Sequence, residues 1–296
     1  NRRSVSLDSA LVLTRGPMSV SGVLFSTLAP PMGIVTAVCY GGKSHPSLIG
    51  QVIHQPGSQL SHLTFLAPKD GLGSSALPVL LDYLASLSGE RGAFRLLADV
   101  DEQQGAFEAL RQVCFATFTR QRIWQLTAQP KGEPGPTAWR MANSVDVIPI
   151  RSLYSNLVPG LVQQVEPFTT QHPRARGLVY RQDDEVLAYV ELRYGRRGIW
   201  LQPFVHPDMP NVASGMVDLV QYLPNRRSRP IYICVRSYQS WLEPAIEDLG
   251  AEAGPRQAVM VKHLAIPQKA LRGFTLPALE RGHPEVSAPI ARSENK

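Results

Sequence analysis

The strongest constraint on this chain is that its second half repeats its first. FLAPKD at 65–70 faces FVHPDM at 204–209, ALRQVCF at 109–115 faces AIEDLGA at 245–251, and Arg120-Gln121 faces Arg256-Gln257. The offset between copies drifts only from 139 to 136 residues. Each copy is more than about a hundred residues, long enough to be a domain rather than a short solenoid unit.

The elements repeat in the same order. Mixed helical spacing over 5–28 predicts one or two short helices broken near Gly16-Pro17. Short runs rich in Val and Ile, separated by Gly and Pro, predict strands at 34–40, 48–54 and 60–66. A helix over 74–87, a strand over 94–100, a helix over 104–113 and a strand over 117–126 complete the first copy. The second copy predicts a strand at 145–150, a helix at 154–165, and strands at 178–182, 186–192 and 199–205. It ends with a helix at 212–223, a strand at 231–235, a helix at 240–249 and a strand at 258–264. The Pro- and Gly-dense run 128–138 reads as a linker, and 267–296, poor in apolar residues, as a disordered tail. The expected domains are therefore 1–127 and 139–266. The expected class is α/β (α+β), each domain a mixed, mostly antiparallel sheet flanked by helices.

Composition excludes several functions. No apolar run reaches the ~18 residues of a membrane span, and no signal peptide is read at the start. Cys39, Cys114 and Cys234 are far apart and sit in apolar stretches, which fits buried reduced thiols, a cytoplasmic location and no metal site. The formal charge of +6 suits an anionic cofactor. Its densest groups, Arg193-Arg196-Arg197 and Arg226-Arg227-Arg229, lie beside turns and read as solvated loops. A nucleic-acid role would need them to merge on one surface.

The most specific local signal is Pro68-Lys69-Asp70-Gly71-Leu72-Gly73-Ser74-Ser75, between a strand and a helix. Two glycines spaced by one residue permit a tight turn and close backbone approach, and the following helix offers unpaired N–H groups to a phosphate. Ala76 breaks a dinucleotide-binding register, and a meander before the loop argues against a parallel nucleotide-binding unit.

With these elements in this order, TFLAPKDGLGSSAL and ALRQVCFATFTRQRIWQL resemble the GNAT superfamily of acyl-CoA N-acyltransferases. YVELRYGRRGIWLQPFVHPD and IYICVRSYQSWLEPAIEDLGAE resemble the same fold in the second copy. The resemblance implies a tandem, degenerate pair of GNAT-like domains and acetyl transfer from acetyl-CoA, as co-substrate, to an amine. It implies that backbone groups of Phe65, Leu66 and Ala67 pair with the pantetheine arm. Gly71, Leu72, Gly73 and Ser74, with Lys69, would hold the pyrophosphate. The second copy has no matching glycine pair in Asp208–Gly215, and Pro210 lacks a donor, so little CoA binding is expected there. The positions of the family's usual Tyr acid hold Leu110 and Ile246. His62 is the catalytic candidate, with His54 beside it, and Glu191 reads as a solvated strand residue. The alternative is a non-catalytic tandem domain that binds CoA, a metabolite or a protein partner.

Overall fold

The structure is a computed structural model that describes residues 4–17, 33–40, 46–128, 138–168 and 176–264. The expected tail, nearly all of the expected linker and the helix expected after Gly16-Pro17 lie outside the described residues. The elements, in chain order, are β1 (Val5–Ser6), α1 (Ser9–Arg15), β2 (Ile34–Cys39), β3 (Leu48–His54), β4 (Leu60–Ala67), α2 (Ala76–Glu90), β5 (Arg95–Asp101), α3 (Gly105–Gln112) and β6 (Ala116–Leu126). The second half contributes β7 (Trp139–Met141), α4 (Val147–Leu157), α5 (Gly160–Val165), β8 (Arg176–Gln182), β9 (Glu185–Tyr194), β10 (Ile199–Val205), α6 (Val212–Tyr222), β11 (Ile231–Arg236), α7 (Glu243–Asp248) and β12 (Glu252–His263).

All strands join one mixed sheet in the order β2-β3-β4-β5-β12-β6-β11-β10-β9-β8-β7, with β1 on β4. The order is the same from either end up to β7. Each half gives an antiparallel meander (β2-β3-β4, β8-β9-β10) followed by a parallel pair, β4·β5 and β10·β11. The last strands are exchanged. β12 pairs with β5 of the first half, and β6 pairs with β11 of the second. β6 and β12 pair with each other, and Gln121 stands directly opposite Gln257, its amide donating to the Gln257 side chain at 2.9 Å. These are the equivalent residues of the sequence repeat, so a local two-fold runs between them.

The exchange extends to the cores. Ala258 and Met260 of β12 lie in the core of the first half, under Leu77, Leu80, Leu81 and Leu84 of α2. Trp124 and Leu126 of β6 lie in the core of the second, under Met216, Leu219 and Val220 of α6. The i, i+3, i+4, i+7 spacing on α2 puts one apolar stripe on the sheet and leaves Val79 and Tyr83 exposed. Helix α3 and helix α7 each end on a left-handed residue at equivalent positions, Cys114 (φ 68) and Gly250 (φ 78). Cys114 is exposed and Cys39 half-buried, because this turn and the edge strand β2 face outward; only Cys234 is buried as expected.

Three segments depart from the sequence reading, the first being residues 5–6, which pair with β4 as a strand where a helix is expected. Residues 145–150, expected as a strand, form a helical turn and the start of α4. Asn143 and Asp146 cap each other's backbone there, and that local bonding outweighs the β-branched run. The helix expected over 154–165 is broken at Val158-Pro159 into α4 and α5. The first strand of the second half is instead β7, pinned by the buried Trp139 indole, which donates to the Gly215 carbonyl at 2.8 Å.

Two predictions follow from this packing. Residues 1–128 and 138–296, expressed separately, each lack the strand that closes their core. Neither should show a cooperative unfolding transition by circular dichroism, and mixing should restore one. A cooperatively folded monomer from either fragment would contradict the exchange. The second concerns Asp146, whose carboxylate takes two bonds from Arg140 (2.6 and 2.7 Å), one from Arg181 (3.3 Å) and one from the Asn143 amide. The Arg140 bonds lead in lowering its pKa to about 2. A depressed carboxylate stabilises the fold above its unfolded pKa, about 4, and loses that contribution as pH falls through about 2. Asp146→Asn should therefore lower stability at neutral pH, with the gap to the parent closing between about pH 4 and about pH 2 in denaturant titrations.

Candidate functional site

A parallel pair that diverges leaves two backbone edges unpaired, and an extended ligand with amide groups can fill the gap. In the first half β4 and β5 pair only over Leu60–His62 and Arg95–Leu97, then separate. The gap is occupied by the chain itself. Val5 and Ser6 of β1 pair with Leu66 and Phe65, the Leu7 amide donates to the Thr64 carbonyl at 2.9 Å, and the Asp99 amide donates to the Leu7 carbonyl at 2.8 Å. Val5 and Leu7 are buried in the core of the first half. Three residues thus continue the sheet across the opening, and two apolar side chains anchor them.

This changes the expected cofactor contacts. The outer edges of Phe65 and Leu66 face β1, and Ala67 pairs with Ile49 of β3. In the loop, the amides of Gly71, Leu72 and Ser74 donate to the carbonyls of Pro68, Lys69 and Gly71, so the turn satisfies its own donors. The Ser74 hydroxyl also donates to the Gly71 carbonyl. Gly71 packs closely, since a Cβ there would meet the end of the Leu48 side chain at 2.7 Å and make it shift; Gly73 borders open space. His62 ends the paired part of β4, half-buried and within electrostatic reach of Asp99. Burial, and then Asp8, raise the Asp99 pKa. His54 is buried against the Ser61 hydroxyl, and burial lowers its pKa.

The second half has the same gap with a different filling. β10 and β11 pair over Ile199–Leu201 and Ile231–Ile233 and then diverge. β7, the counterpart of β1 in chain order, pairs with β8 away from the gap. One side chain spans the exposed edge of β10. The Gln239 amide donates to the Pro203 carbonyl, and its oxygen accepts from the Val205 amide, both at 3.1 Å. Gln239 is 2% exposed. Its carboxamide makes the two bonds that the N–H and C=O of one residue on a neighbouring strand would make to residues i and i+2 of a strand.

Around this gap lie groups that the first half lacks. Tyr238, next to Gln239, lines a cleft of about 310 Å³ together with Thr117, Phe118, Arg120, Pro159 and Leu161. Tyr154 and Tyr189 pack with Phe204 nearby. Burial raises the pKa of all three phenols, so they stay protonated at neutral pH. Arg236, 7% exposed, bonds Glu166 at 3.0 Å, while its Nε and Nη1 find no partner among the described residues. Glu191 stands opposite Gln202, where the gap opens, and bonds Arg193 at 2.9 Å. Sequence reasoning placed Tyr238 and Gln239 just ahead of a helix and gave them no role, because the gap they face is closed by distant strands. Among the described residues no three His, Cys, Asp or Glu side chains gather as a metal site, and no helix is long and apolar enough to cross a membrane.

No family model matches the chain, and no curated protein matches it. Solved structures do. A conserved protein of unknown function from Staphylococcus epidermidis is 9% identical, with a TM-score of 0.50 over 76% of this chain and 94% of that one. A tandem GNAT protein from the clavulanic acid biosynthesis pathway is 12% identical (TM-score 0.49, 83% and 90% covered). A GCN5-related N-acetyltransferase from Sphaerobacter thermophilus is 11% identical (TM-score 0.48, 73% and 76% covered). The likeness is one of fold. With a meander, a diverging parallel pair and covering helices in each half, the chain shares the fold of the Staphylococcus epidermidis protein.

Proposed function

We propose that this chain is an acyl-CoA-dependent N-acyltransferase whose site lies in the C-terminal half. The observation that carries this reading is the asymmetry of the two gaps: a strand fills the first, and one side chain spans the second. Displacing β1 would expose two core side chains and break a ladder. Displacing Gln239 exchanges two neutral hydrogen bonds for two from a pantetheine amide, a nearly even trade. The reading includes descent of both halves from one duplicated unit, with boundaries 1–127 and 139–266. It also includes a cytoplasmic location, which the three unpaired cysteines suit.

In acyl transfer the amine nitrogen attacks the thioester carbonyl, the C–S bond breaks, and the thiolate takes a proton. Tyr238 keeps its proton because it is buried, and it borders the cleft, so it is assigned as the donor to the leaving thiolate. Glu191, at the mouth of the gap on the same strand face as Tyr189, is assigned to receive the proton of the acceptor ammonium. The acceptor is an amine small enough for the cleft.

The second reading, a non-catalytic tandem protein, draws on the bonds of Gln239 itself and on the loop His206–Asn211. That loop has no glycine pair, and Pro210 offers no donor.

Calorimetric titration with acetyl-CoA separates the readings. The parent should bind. Gln239→Ala leaves the Pro203 and Val205 groups unpaired until ligand arrives, so it should bind about tenfold more tightly. Gly73→Val, whose new side chain meets open space, should bind like the parent. Absence of heat and of any melting-temperature rise in both the parent and Gln239→Ala at millimolar acetyl-CoA would leave the non-catalytic reading. Binding lost in Gly73→Val alone would return the site to the first half.

A further inference from the structure

The two arginine groups of the sequence, about 100 Å of chain apart if extended, about 30 residues at ~3.3 Å each, meet in the fold. A cavity of about 1230 Å³ is lined by Arg15, Arg196, Arg227 and Arg229, with Tyr194 and Asn225 among the remaining wall. Among the described residues no carboxylate lines it. It lies by the turn before β10, whereas the gap of the proposed acyl-CoA site opens beyond Leu201. The two sites are therefore at opposite ends of β10, about 20 Å apart at ~3.3 Å per residue.

The cavity wall is held by bonds that do not use up its charge. Arg229 bonds the carbonyls of Gly195 (2.7 Å), Arg226 (3.0 Å) and Asn225, and its guanidinium lies over the Tyr194 ring at 5.4 Å. Arg226, 8% exposed, bonds the carbonyls of Thr127 and Ala128 and fastens the loop to the chain leaving β6. The Arg197 amide donates to the Thr14 carbonyl at 2.8 Å, fixing the end of α1 beside the hairpin, and a Cβ on Gly195 would strike that carbonyl at 2.1 Å. The loop itself runs through left-handed backbone at Asn225, Arg227 and Ser228, a conformation that costs energy for residues with side chains. Arg15, Arg196 and Arg227 form no ion pair or hydrogen bond with the described residues. Among the described residues, three guanidinium groups without a partner and one braced one thus face a single concavity with no carboxylate in its wall.

Like charges gathered without a counter-charge repel, and the arrangement is relieved by an anion that several of them share. Guanidinium groups match phosphate oxygens in pairs. The arginines converge on one open concavity, where a compact anion can reach several of them at once, rather than along the extended track of a polynucleotide. We propose that this cavity binds a small anion carrying two or more linked phosphates, either an inorganic polyphosphate or the polyphosphate of a nucleotide.

The test is calorimetric titration of the full chain with inorganic tripolyphosphate and with ATP at low ionic strength. Both probes should bind, and affinity should fall as salt rises. ATP binding more tightly than tripolyphosphate would assign the Tyr194 wall to a nucleoside; equal binding would assign the site to phosphate alone. Arg196→Ala combined with Arg227→Ala removes two exposed side chains without protein partners, so the melting temperature should hold while both affinities drop at least tenfold. Gln239→Ala should leave them unchanged, which keeps this site separate from the acyl-CoA reading. No binding of either probe by the parent, or binding undiminished in the double variant, would overturn the proposal. Displacement of ATP by a single-stranded RNA at lower phosphate concentration would overturn it in favour of a nucleic-acid surface.

Discussion

The exchange of β6 and β12 is the constraint on which the rest of the structure depends. A sheet core closes only when each strand brings apolar side chains to the covered face, and here each half borrows its closing strand from the other. Trp124 and Leu126 are encoded in the first copy and buried in the second; Ala258 and Met260 do the reverse. The arrangement makes the two halves thermodynamically inseparable, although the sequence divides them with a Pro- and Gly-rich run. It also fixes where the halves meet, at the Gln121–Gln257 pair, where the amide side chains bond each other and extend to Ser9 and Cys234. A buried polar chain of this kind is stable only when its members find partners, so it specifies the register of the central strands.

Similar halves have acquired different fillings. Both contain a parallel pair that diverges, and a diverging pair exposes backbone groups that must be satisfied. The first half satisfies them with β1, whereas β7 pairs with β8 at the far edge of the second. The second half satisfies them with one carboxamide. A ladder anchored by Val5 and Leu7 and a pair of bonds from Gln239 differ in what a ligand must displace, and this difference places the proposed chemistry in the half with the less typical loop. The phenols of Tyr154, Tyr189 and Tyr238 sharpen the contrast, since the equivalent face of the first half carries His62 and Asp99.

At the other end of β10, the protein spends local strain on order. Three left-handed residues in the loop 225–228 and a glycine pressed against the Thr14 carbonyl hold the hairpin, the loop and the end of α1 in contact. Arg226 and Arg229 provide the bonds that hold them. Their neighbours Arg196 and Arg227 are left pointing to solvent with their charges uncommitted.

The sequence by itself determined the fold class and most of the order of strands and helices. These are written in local patterns: the period of α2 and α6, the Val- and Ile-rich runs of the meanders, the Gly and Pro breaks between them. The Arg-Gln repeat even marked the residues at the two-fold. Local pattern failed where a local bond competed with it, as at Asn143–Asp146, where capping made a helix of a run that reads as a strand. The glycine loop shows a related limit of local pattern: glycine is permissive, and the letters do not say whether that freedom serves a ligand or close packing, such as that of Gly71 beside Leu48. The tertiary structure alone decided which strand closes which core, that residues 5–7 fill the first gap, that Gln239 spans the second, and that distant arginines share one cavity. Each of these is a contact between segments far apart in the chain, whose partners are chosen by the packing of the whole sheet and leave no periodic trace in the letters.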